Sequence, residues 1–453
     1  MSPTGHDSNM MRLLRQNKDL QEVNEMLTSE NRALLEEIER LKKQITDKEL
    51  NEKKEGVRTV TYKMATLLFV EILGFQKITD TANSQELVDQ LDDIKFHFDS
   101  IIEKHKIQKI RTLGDSFMCA GGIPEKNITN PLDVVLAAFE MQQYMHSIQG
   151  KKKIWKLRMG VHTGPVTATI TGTKKLNYDL KGETVNIASR LQASTEAGKP
   201  VISAMTYEMV KDFFNLEFYT EMPVKYMGKL GIYQVNGIRK EFAENPVTPN
   251  RRFMVRYCMR QFTDLQEMIL DRLEKELPHF LYYHNVKHTV DVVTEVELIA
   301  LAEGVREEEI LLLKTAALFH DTGHIKGYDN HELYGTQIAK DILPSFHYFP
   351  DQIEKICQII MATKVPPKPT CLLEEIICDA DLDYLGRPDF IPVSNDLYRE
   401  LKEQNKIGTL NDWNKLQVKF ITNHTYFTKT ARRLREVNKS KQIERLTKLI
   451  TED

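Results

Sequence analysis

Leucine returns at every seventh position near the start of the chain, at Leu13, Leu20, Leu27, Leu34 and Leu41. Taken as d positions of a heptad, these leucines put Asn17, Asn24, Asn31, Ile38 and Ile45 at a. Such a seam is buried when two helices wrap around each other. A buried Asn at a is best satisfied by the same Asn across a two-fold axis, which selects register and a parallel dimer at a cost in stability. Neither Gly nor Pro interrupts Met10–Leu50. A single charged helix solvated on all sides is the plainer alternative, and the in-register leucines argue against it. Residues 1–55 are therefore expected to form a dimerising coiled coil.

The pattern then changes. Ala65–Ile72 is an apolar run that reads as a buried strand, and further strands are predicted at Lys109–Ala120 and Lys156–Ala168. Helical periodicity lies between them, at Ser84–Lys104 and Pro131–Ser147. Alternating strands and helices predict an α/β or α+β sandwich over residues 56–240. The stretch Ala243-Glu244-Asn245-Pro246-Val247-Thr248-Pro249-Asn250 has no apolar periodicity, and residues 241–252 read as a linker. Beyond it apolar residues recur at helical spacing, at Met268, Leu270 and Leu273, along Ile310–Phe319 and along Ile353–Met361. Residues 253–453 are thus predicted to be all-α. Internal repeats and low-complexity tracts are not evident.

A chain of 453 residues has room for two or three domains at roughly 100–200 residues each. The formal net charge of −3 gives no reason to expect nucleic acid or an acidic membrane as a partner. Cys119, Cys258, Cys357, Cys371 and Cys378 include no CxxC pair, so buried reduced thiols in a reducing compartment are expected. The N-terminus carries no signal pattern, and no run approaches the roughly 18 apolar residues of a membrane span. A soluble, cytoplasmic protein is the expectation.

Candidate chemistry is densest in the C-terminal segment. Tyr283-His284-Asn285-Val286-Lys287-His288-Thr289-Val290-Asp291-Val292 is followed by His320-Asp321-Thr322-Gly323-His324, by His331-Glu332 and by Asp379-Ala380-Asp381-Leu382. Residues four apart share a helix face, so His284 with His288, and His320 with His324, are expected to point together. Imidazoles and carboxylates suit a divalent metal, and two such ions can clamp a phosphoryl oxygen and hold a hydroxide. A lone His on an apolar helix is usually a satisfied core residue, but so many in short motifs favour a metal site.

His320-Asp321 resembles the defining doublet of the HD phosphohydrolase superfamily, and YHNVKHTVDV is similar to the opening motif of its cyclic-nucleotide phosphodiesterase branch. The resemblance implies that His288, His320, Asp321 and Asp381 hold a first metal, with Asp321 bridging to a second beside His324. It makes His284 the general acid for the departing 3′ oxygen and Asp291 the residue that orients His288. The stretch HDTGHIKGYDNHE departs from the mammalian enzymes and offers His331 as a further ligand or, alternatively, a surface helix cap. Asp379 competes with Asp381 as the ligand, and the Ala-Asp-Leu context favours Asp381. The metals would be Mn, Fe, Zn or Mg. No glutamine stands out for recognising a base; Gln417, on the late helix Trp413–Asn423, is a weak candidate.

A second constellation lies in the central segment. Glu71, in Phe69-Val70-Glu71-Ile72-Leu73-Gly74-Phe75, and Asp115, in Arg111-Thr112-Leu113-Gly114-Asp115-Ser116-Phe117-Met118, are carboxylates on neighbouring strands. They could hold Mg²⁺ against a triphosphate. Asn186 and Arg190, in Thr184-Val185-Asn186-Ile187-Ala188-Ser189-Arg190, are four apart on a helix; a cap and a surface ion pair are the structural alternative. Together these pieces resemble the class III adenylyl and guanylyl cyclases, a ferredoxin-like α/β fold. The likeness implies Mg²⁺ or Mn²⁺ at Glu71 and Asp115, transition-state stabilisation by Asn186 and Arg190, and terminal-phosphate contact by Lys225. Arg111 and Asp179 occupy the purine-reading positions, and Asp179 is the adenine-type choice. Arg111 stands where the family has Lys, a non-equivalent exchange. Glu71 stands where it has Asp, adding a methylene to a site where Mg²⁺ demands tight geometry.

Such cyclase sites form between two chains, and the coiled coil would supply the pair. The expected protein is a homodimeric bifunctional enzyme. It would form a 3′,5′-cyclic nucleotide from a nucleoside triphosphate, with cAMP from ATP favoured, and hydrolyse a cyclic phosphodiester. One alternative is an HD hydrolase regulated by a weak, nucleotide-binding cyclase-like domain. Another is a non-enzymatic nucleotide-sensing scaffold, which would have no need of a full metal-ligand set.

Overall fold

The computed structural model describes residues 57–74, 84–148, 155–172, 176–224, 228–245 and 248–451. The heptad segment 1–55 and Lys225 lie outside the described residues. The first domain is built on one sheet of β1 (Val57–Leu73), β2 (Gln108–Leu113), β3 (Ser116–Gly121), β4 (Lys156–Thr171), β5 (Asn177–Lys181), β6 (Val201–Ser203), β7 (Phe214–Val224) and β8 (Gly228–Ile238). Their order is β2-β3-β1-β4-β6-β8-β7, with β5 also on β4. The β4–β6 pair is parallel, whereas β1 runs antiparallel to both neighbours.

β1 explains why its sequence is apolar at almost every position. Alternate side chains of a strand face opposite sides of the sheet. Leu68, Val70 and Ile72 join α1 (Ser84–Lys104) and α2 (Asn130–Ile148) in one core. Ala65 and Leu67 face the other way, towards Ala188 of α3 (Glu183–Ala193). Glu71 shares that second face. α3 lies directly on β4, because a methyl group at Gly160 would collide with the Gln192 backbone, and one at Gly164 with Thr184. Glycine thus lets the helix bearing Asn186 and Arg190 settle close over the strands. A short helix, α4 (Ala204–Val210), completes the domain.

The region read as a linker contains a small ladder, β9 (Ala243–Asn245) with β10 (Thr248–Pro249), and leads at once into α5 (Arg251–Glu276). Asn250 caps α5 by accepting from Phe253 N at 3.0 Å. Phe253 is fully buried and meets Phe213 edge-on at 5.0 Å. Tyr257, one turn on, donates to Asp133 Oδ1 at 2.7 Å. The first helix of the second domain therefore packs against the first domain, and a single apolar core runs through both.

The rest is helical: α6 (Val286–Ala302), α7 (Glu307–Phe319), α8 (His331–Ile342), α9 (Pro350–Met361), α10 (Leu372–Asp381), α11 (Phe390–Glu403), α12 (Leu410–Asn423) and α13 (Lys429–Leu449). Among the described residues no strand follows Pro249. Among them, too, no helix is long and apolar enough to cross a membrane.

Candidate functional site

The helical domain gathers its histidines at helix ends rather than along helix faces. Asn285 caps α6 by accepting from His288 N at 3.1 Å, which fixes His288 in the first turn. His284 precedes that cap, outside the helix, and its ring stands perpendicular to His288 at 6.0 Å. α7 ends at Phe319, and a short 3₁₀ turn, Thr322–Ile325, follows. Shared helix faces therefore do not bring these pairs together; a cap and a tight turn do.

Gly323 and Gly335 press the turn against α8. A side chain at Gly323 would overlap the His331 carbonyl, and one at Gly335 would crowd Phe319 O. His331, the first residue of α8, is thus carried to the Asp321 carboxylate. Asp381 arrives as the last residue of α10.

Two groups that could hold a metal ion result, His288–His320–Asp321 and His284–Asp321–His324, with candidate ligand atoms within 4.8 Å of one another in each. His288 Nε2 lies 3.1 Å from Asp381 Oδ1 and 3.4 Å from Asp321 Oδ2. His320 Nε2 is 3.2 Å from Asp321 Oδ2 and 3.5 Å from Asp381 Oδ1. On the other oxygen, Asp321 Oδ1 faces His331 Nε2 at 3.6 Å and His324 Nε2 at 3.8 Å. Asp321 thus stands between the groups, as a bridging ligand must.

The nitrogens are set up for metal. His320 Nδ1–H donates to Ala317 O at 2.7 Å and His331 Nδ1–H to Tyr328 O at 3.0 Å, which leaves each Nε2 lone pair pointing inward. Among the described residues, Asp321 Oδ2 and both His324 ring nitrogens are buried without a hydrogen-bond partner. Orphaned buried polar atoms are costly, and divalent ions would satisfy them. The residues present fit a pair of such ions.

The electrostatics agree. Burial opposes ionisation of Asp321, yet the imidazoles of His320, His284 and His324 hold its carboxyl well below the usual range. Burial likewise disfavours charge on His320, but Asp321 and Asp381 raise its pKa well above normal. Burial pushes His324 down to about 2. The field that favours a proton on His320 favours a divalent cation equally, and the two compete.

Asp379 is not part of the centre. It accepts from Phe427 N at 2.8 Å, Thr428 N at 2.7 Å and Thr428 Oγ1 at 2.7 Å, tying down the start of α13. Asp291 also departs from expectation. Its Oδ2 takes Lys287 Nζ at 2.6 Å, one turn back on α6, and Arg387 Nη1 at 2.8 Å, so its carboxylate serves these ion pairs rather than orienting His288. Gln417 is buried in α12, and its Oε1 meets no donor among the described residues.

Glu400 went unnoticed in the sequence. This fully buried carboxylate on α11 accepts from Tyr283 N at 3.0 Å, His284 N at 3.1 Å and His284 Nδ1 at 2.5 Å. Burial disfavours charge on His284, but Asp321 and Glu400 overcome it and raise its pKa. A glutamate within Leu397-Tyr398-Arg399-Glu400-Leu401-Lys402 carries no local signal; only its complete burial marks it.

The first domain's candidates are arranged differently. Glu71 pairs across the sheet with Ser116 on β3 and Arg158 on β4, and Ile72 N donates to Asp115 O at 2.9 Å, so the two residues sit on adjacent backbone positions of neighbouring strands. Glu71 Oε2 already accepts from Arg158 Nη1 at 3.0 Å and Gln192 Nε2 at 2.5 Å. Arg111 Nη2 donates to Asp179 Oδ1 at 2.7 Å, so the two residues expected to read the purine meet each other. Asn186 and Arg190 lie on the exposed side of α3, whose other side is buried by Ile187, Ala188 and Leu191.

Residues 57–237 match the model of the adenylate and guanylate cyclase catalytic domain, and residues 285–383 match that of the HD domain. Human guanylyl cyclase C is 31% identical over 222 residues, covering 47% of this chain and 20% of that protein. The matched stretch thus spans about a fifth of this curated relative. Among solved structures, the guanylate cyclase domain of RhGC from Catenaria anguillulae, in complex with GTP, is 28% identical. It covers 40% of this chain and 100% of its own, with a TM-score of 0.36. The adenylyl cyclase CyaB from P. aeruginosa is 27% identical, covering 41% and 100%, with a TM-score of 0.37.

Proposed function

We propose, from a chain that joins a class III cyclase catalytic domain to an HD domain, that the protein both makes and hydrolyses cyclic nucleotides. The observation that carries the hydrolase half is the convergence of His288, His320, Asp321 and Asp381, with His324 and His331 on the far side of Asp321. His320 and His331 are held in the tautomer that ligates, and Asp321 divides its oxygens between the two groups. When bound there, two divalent ions supply Lewis-acid stabilisation of phosphoryl oxygens and lower the pKa of water. His284 is the acid. Glu400 holds its Nδ1 and, with Asp321, favours its charged form, so Nε2–H is the proton delivered to the departing 3′ oxygen as the P–O bond breaks. The substrate class is a 3′,5′-cyclic nucleotide.

In the cyclase half, Glu71 and Asp115 would take Mg²⁺ or Mn²⁺, Arg190 and Asn186 would face the reacting phosphate, Lys225 the terminal phosphates, and Arg111 with Asp179 the purine, with ATP the favoured substrate. The exposure of Asn186 and Arg190 suits a site closed by a second copy of the chain, which the 1–55 heptads would hold in place as a parallel homodimer. The setting is the cytoplasm.

One observation favours a second reading, an HD hydrolase under a weak cyclase domain. Glu71 Oε2 is engaged by Arg158 and Gln192, which leaves this carboxylate less available to a metal. The test supplies purified protein with ATP or GTP, and separately with cAMP or cGMP, in Mg²⁺ or Mn²⁺, and separates the products by chromatography. Cyclic product from a triphosphate that vanishes in Arg190→Ala supports the bifunctional reading. No cyclic product from the parent protein selects the second. Hydrolysis unchanged in Asp321→Ala would remove the HD centre from both.

A further inference from the structure

The imidazoles of the helical domain's cluster differ in what holds them. His320, His331 and His284 each fix one ring nitrogen, on Ala317 O, Tyr328 O and Glu400 respectively. His324 has no such anchor. It is buried, and neither of its ring nitrogens has a hydrogen-bond partner among the described residues. Packing alone therefore sets the direction of its lone pair. A metal-ligating ring must be held within about 0.5 Å and 10–20° of the productive geometry, so what packs on His324 matters.

Three rings do so. His331 stacks on it at 4.0 Å and 15°, His284 lies tilted at 4.6 Å, and Tyr328 lies tilted at 5.0 Å. His331 and His284 belong to the cluster themselves. Tyr328 does not, and among the described residues it is the one ring against His324 that serves only as a wall.

Tyr328 is itself clamped. Its ring meets His284 edge-on, at 5.9 Å and 86°, and its carbonyl is the acceptor that orients His331. Lys406 Nζ covers the ring at 4.1 Å from its centroid, within cation–π range. Lys406 comes from the turn that follows α11, and its Nζ also donates to Asp329 Oδ1 at 2.8 Å. Asn330 then takes the left-handed conformation, φ 61°, and turns the chain into α8. A half-buried loop tyrosine is thus fixed by a cation on one side and imidazoles on the other.

We propose that Tyr328 is a positioning residue for the second divalent ion of the HD centre: its ring fixes the His324 imidazole, and Lys406 fixes Tyr328. The inference rests on the hydrolase reading above and adds to it the residue that acts through His324. Its effect is confined to one ion, because the ring contacts of Tyr328 go to His284 and His324 and not to His288 or His320.

The test strips the full chain with EDTA, titrates it with Mn²⁺ and counts bound ions by electron paramagnetic resonance. Ions of the HD centre are those that the parent holds and Asp321→Ala does not, which cancels any ion bound elsewhere. Two are expected in the parent. Tyr328→Ala keeps the main-chain carbonyl for His331 and removes only the wedge. It should weaken the second ion about tenfold or more and leave the first at parental affinity. Tyr328→Phe keeps the ring and should hold both ions as the parent does. Lys406→Met, a change at the outer face of the ring, should weaken the second ion about two- to fivefold. Two ions held as tightly by Tyr328→Ala as by the parent overturn the inference and leave the hydrolase reading standing. Equal weakening of both ions also overturns it, since the ring would then support the fold and not one ligand. Loss of the second ion in Tyr328→Phe overturns it by moving the effect to the hydroxyl, and a parent with only one such ion leaves no second ion to position. A parent that holds no more Mn²⁺ than Asp321→Ala defeats the hydrolase reading itself, and this inference with it.

Discussion

The HD centre and the cyclase face solve the placement of charged groups in opposite ways. In the HD centre, His320 is 1% exposed and Asp321 5%, and second contacts such as Ala317 O and Glu400 constrain the imidazoles. On the cyclase face, Asn186 and Arg190 are exposed, and Arg111 and Asp179 are occupied with each other. A buried charged site must be complete within its own fold, because unmatched polar groups there are costly. An exposed one can wait for substrate and a second chain. The contrast teaches that the helical domain gathers its cluster and the contacts that hold it within one chain, whereas the first domain leaves Asn186 and Arg190 open on its surface.

The sharpest break in that comparison is Asp321→Ala. It removes the carboxylate shared by both ligand groups, so phosphodiester hydrolysis should fall by about a thousandfold or more. Bound metal, read by elemental analysis, should fall with it, while cyclase activity stays. Arg190→Ala is the mirror experiment. It should cost the cyclase about a hundredfold or more and leave hydrolysis and metal content at the parental level, checked in parallel assays.

Glu400→Gln tests whether second contacts matter as much as ligands. It keeps the shape but weakens the hold on His284, and should lower kcat for hydrolysis by about tenfold to a hundredfold with little change in KM. Retention of metal in that variant would separate positioning from ligation. Gly323→Ala probes the close approach of the turn to α8, and overpacking there should destabilise the helical domain by about 3 kcal/mol, seen in denaturant unfolding.

The smallest effect concerns the seam between the domains. Burial pushes the Asp133 carboxyl up to about 7, against the hydrogen bonds from Tyr257, Thr129 and Asn127. A carboxyl with a raised native pKa binds more protons folded than unfolded, so stability falls as pH rises between its unfolded value and about 7. Asp133→Asn should flatten that slope in melting curves from pH 4 to pH 8, whereas a variant that keeps the parental slope would place the titration elsewhere.

Much of the HD centre was legible. His288, His320, Asp321, His324, His331 and Asp381 could be named because their motifs are short and dense. The strands and helices of the first domain were legible wherever one apolar period ran unbroken, as in Ser84–Lys104, which the structure reproduces residue for residue. The shared-face argument for the histidine pairs failed, because caps and turns break the helical period there. The Ala380-Asp381-Leu382 context favoured Asp381 over Asp379, but no local pattern shows why. Two carboxylates two residues apart differ only in what the fold brings to them, and Thr428 goes to one and His288 to the other.

Composition and periodicity by themselves determined the residue types, the change from mixed to helical architecture and the motifs that carry chemistry, because these are properties of neighbours along the chain. Only the tertiary structure decided that Glu400 stands behind His284, that Arg387 claims Asp291, that Arg158 and Gln192 engage Glu71, and that Lys406 covers Tyr328. Those pairings join residues far apart in sequence, and their energies come from burial and distance, which no local pattern records.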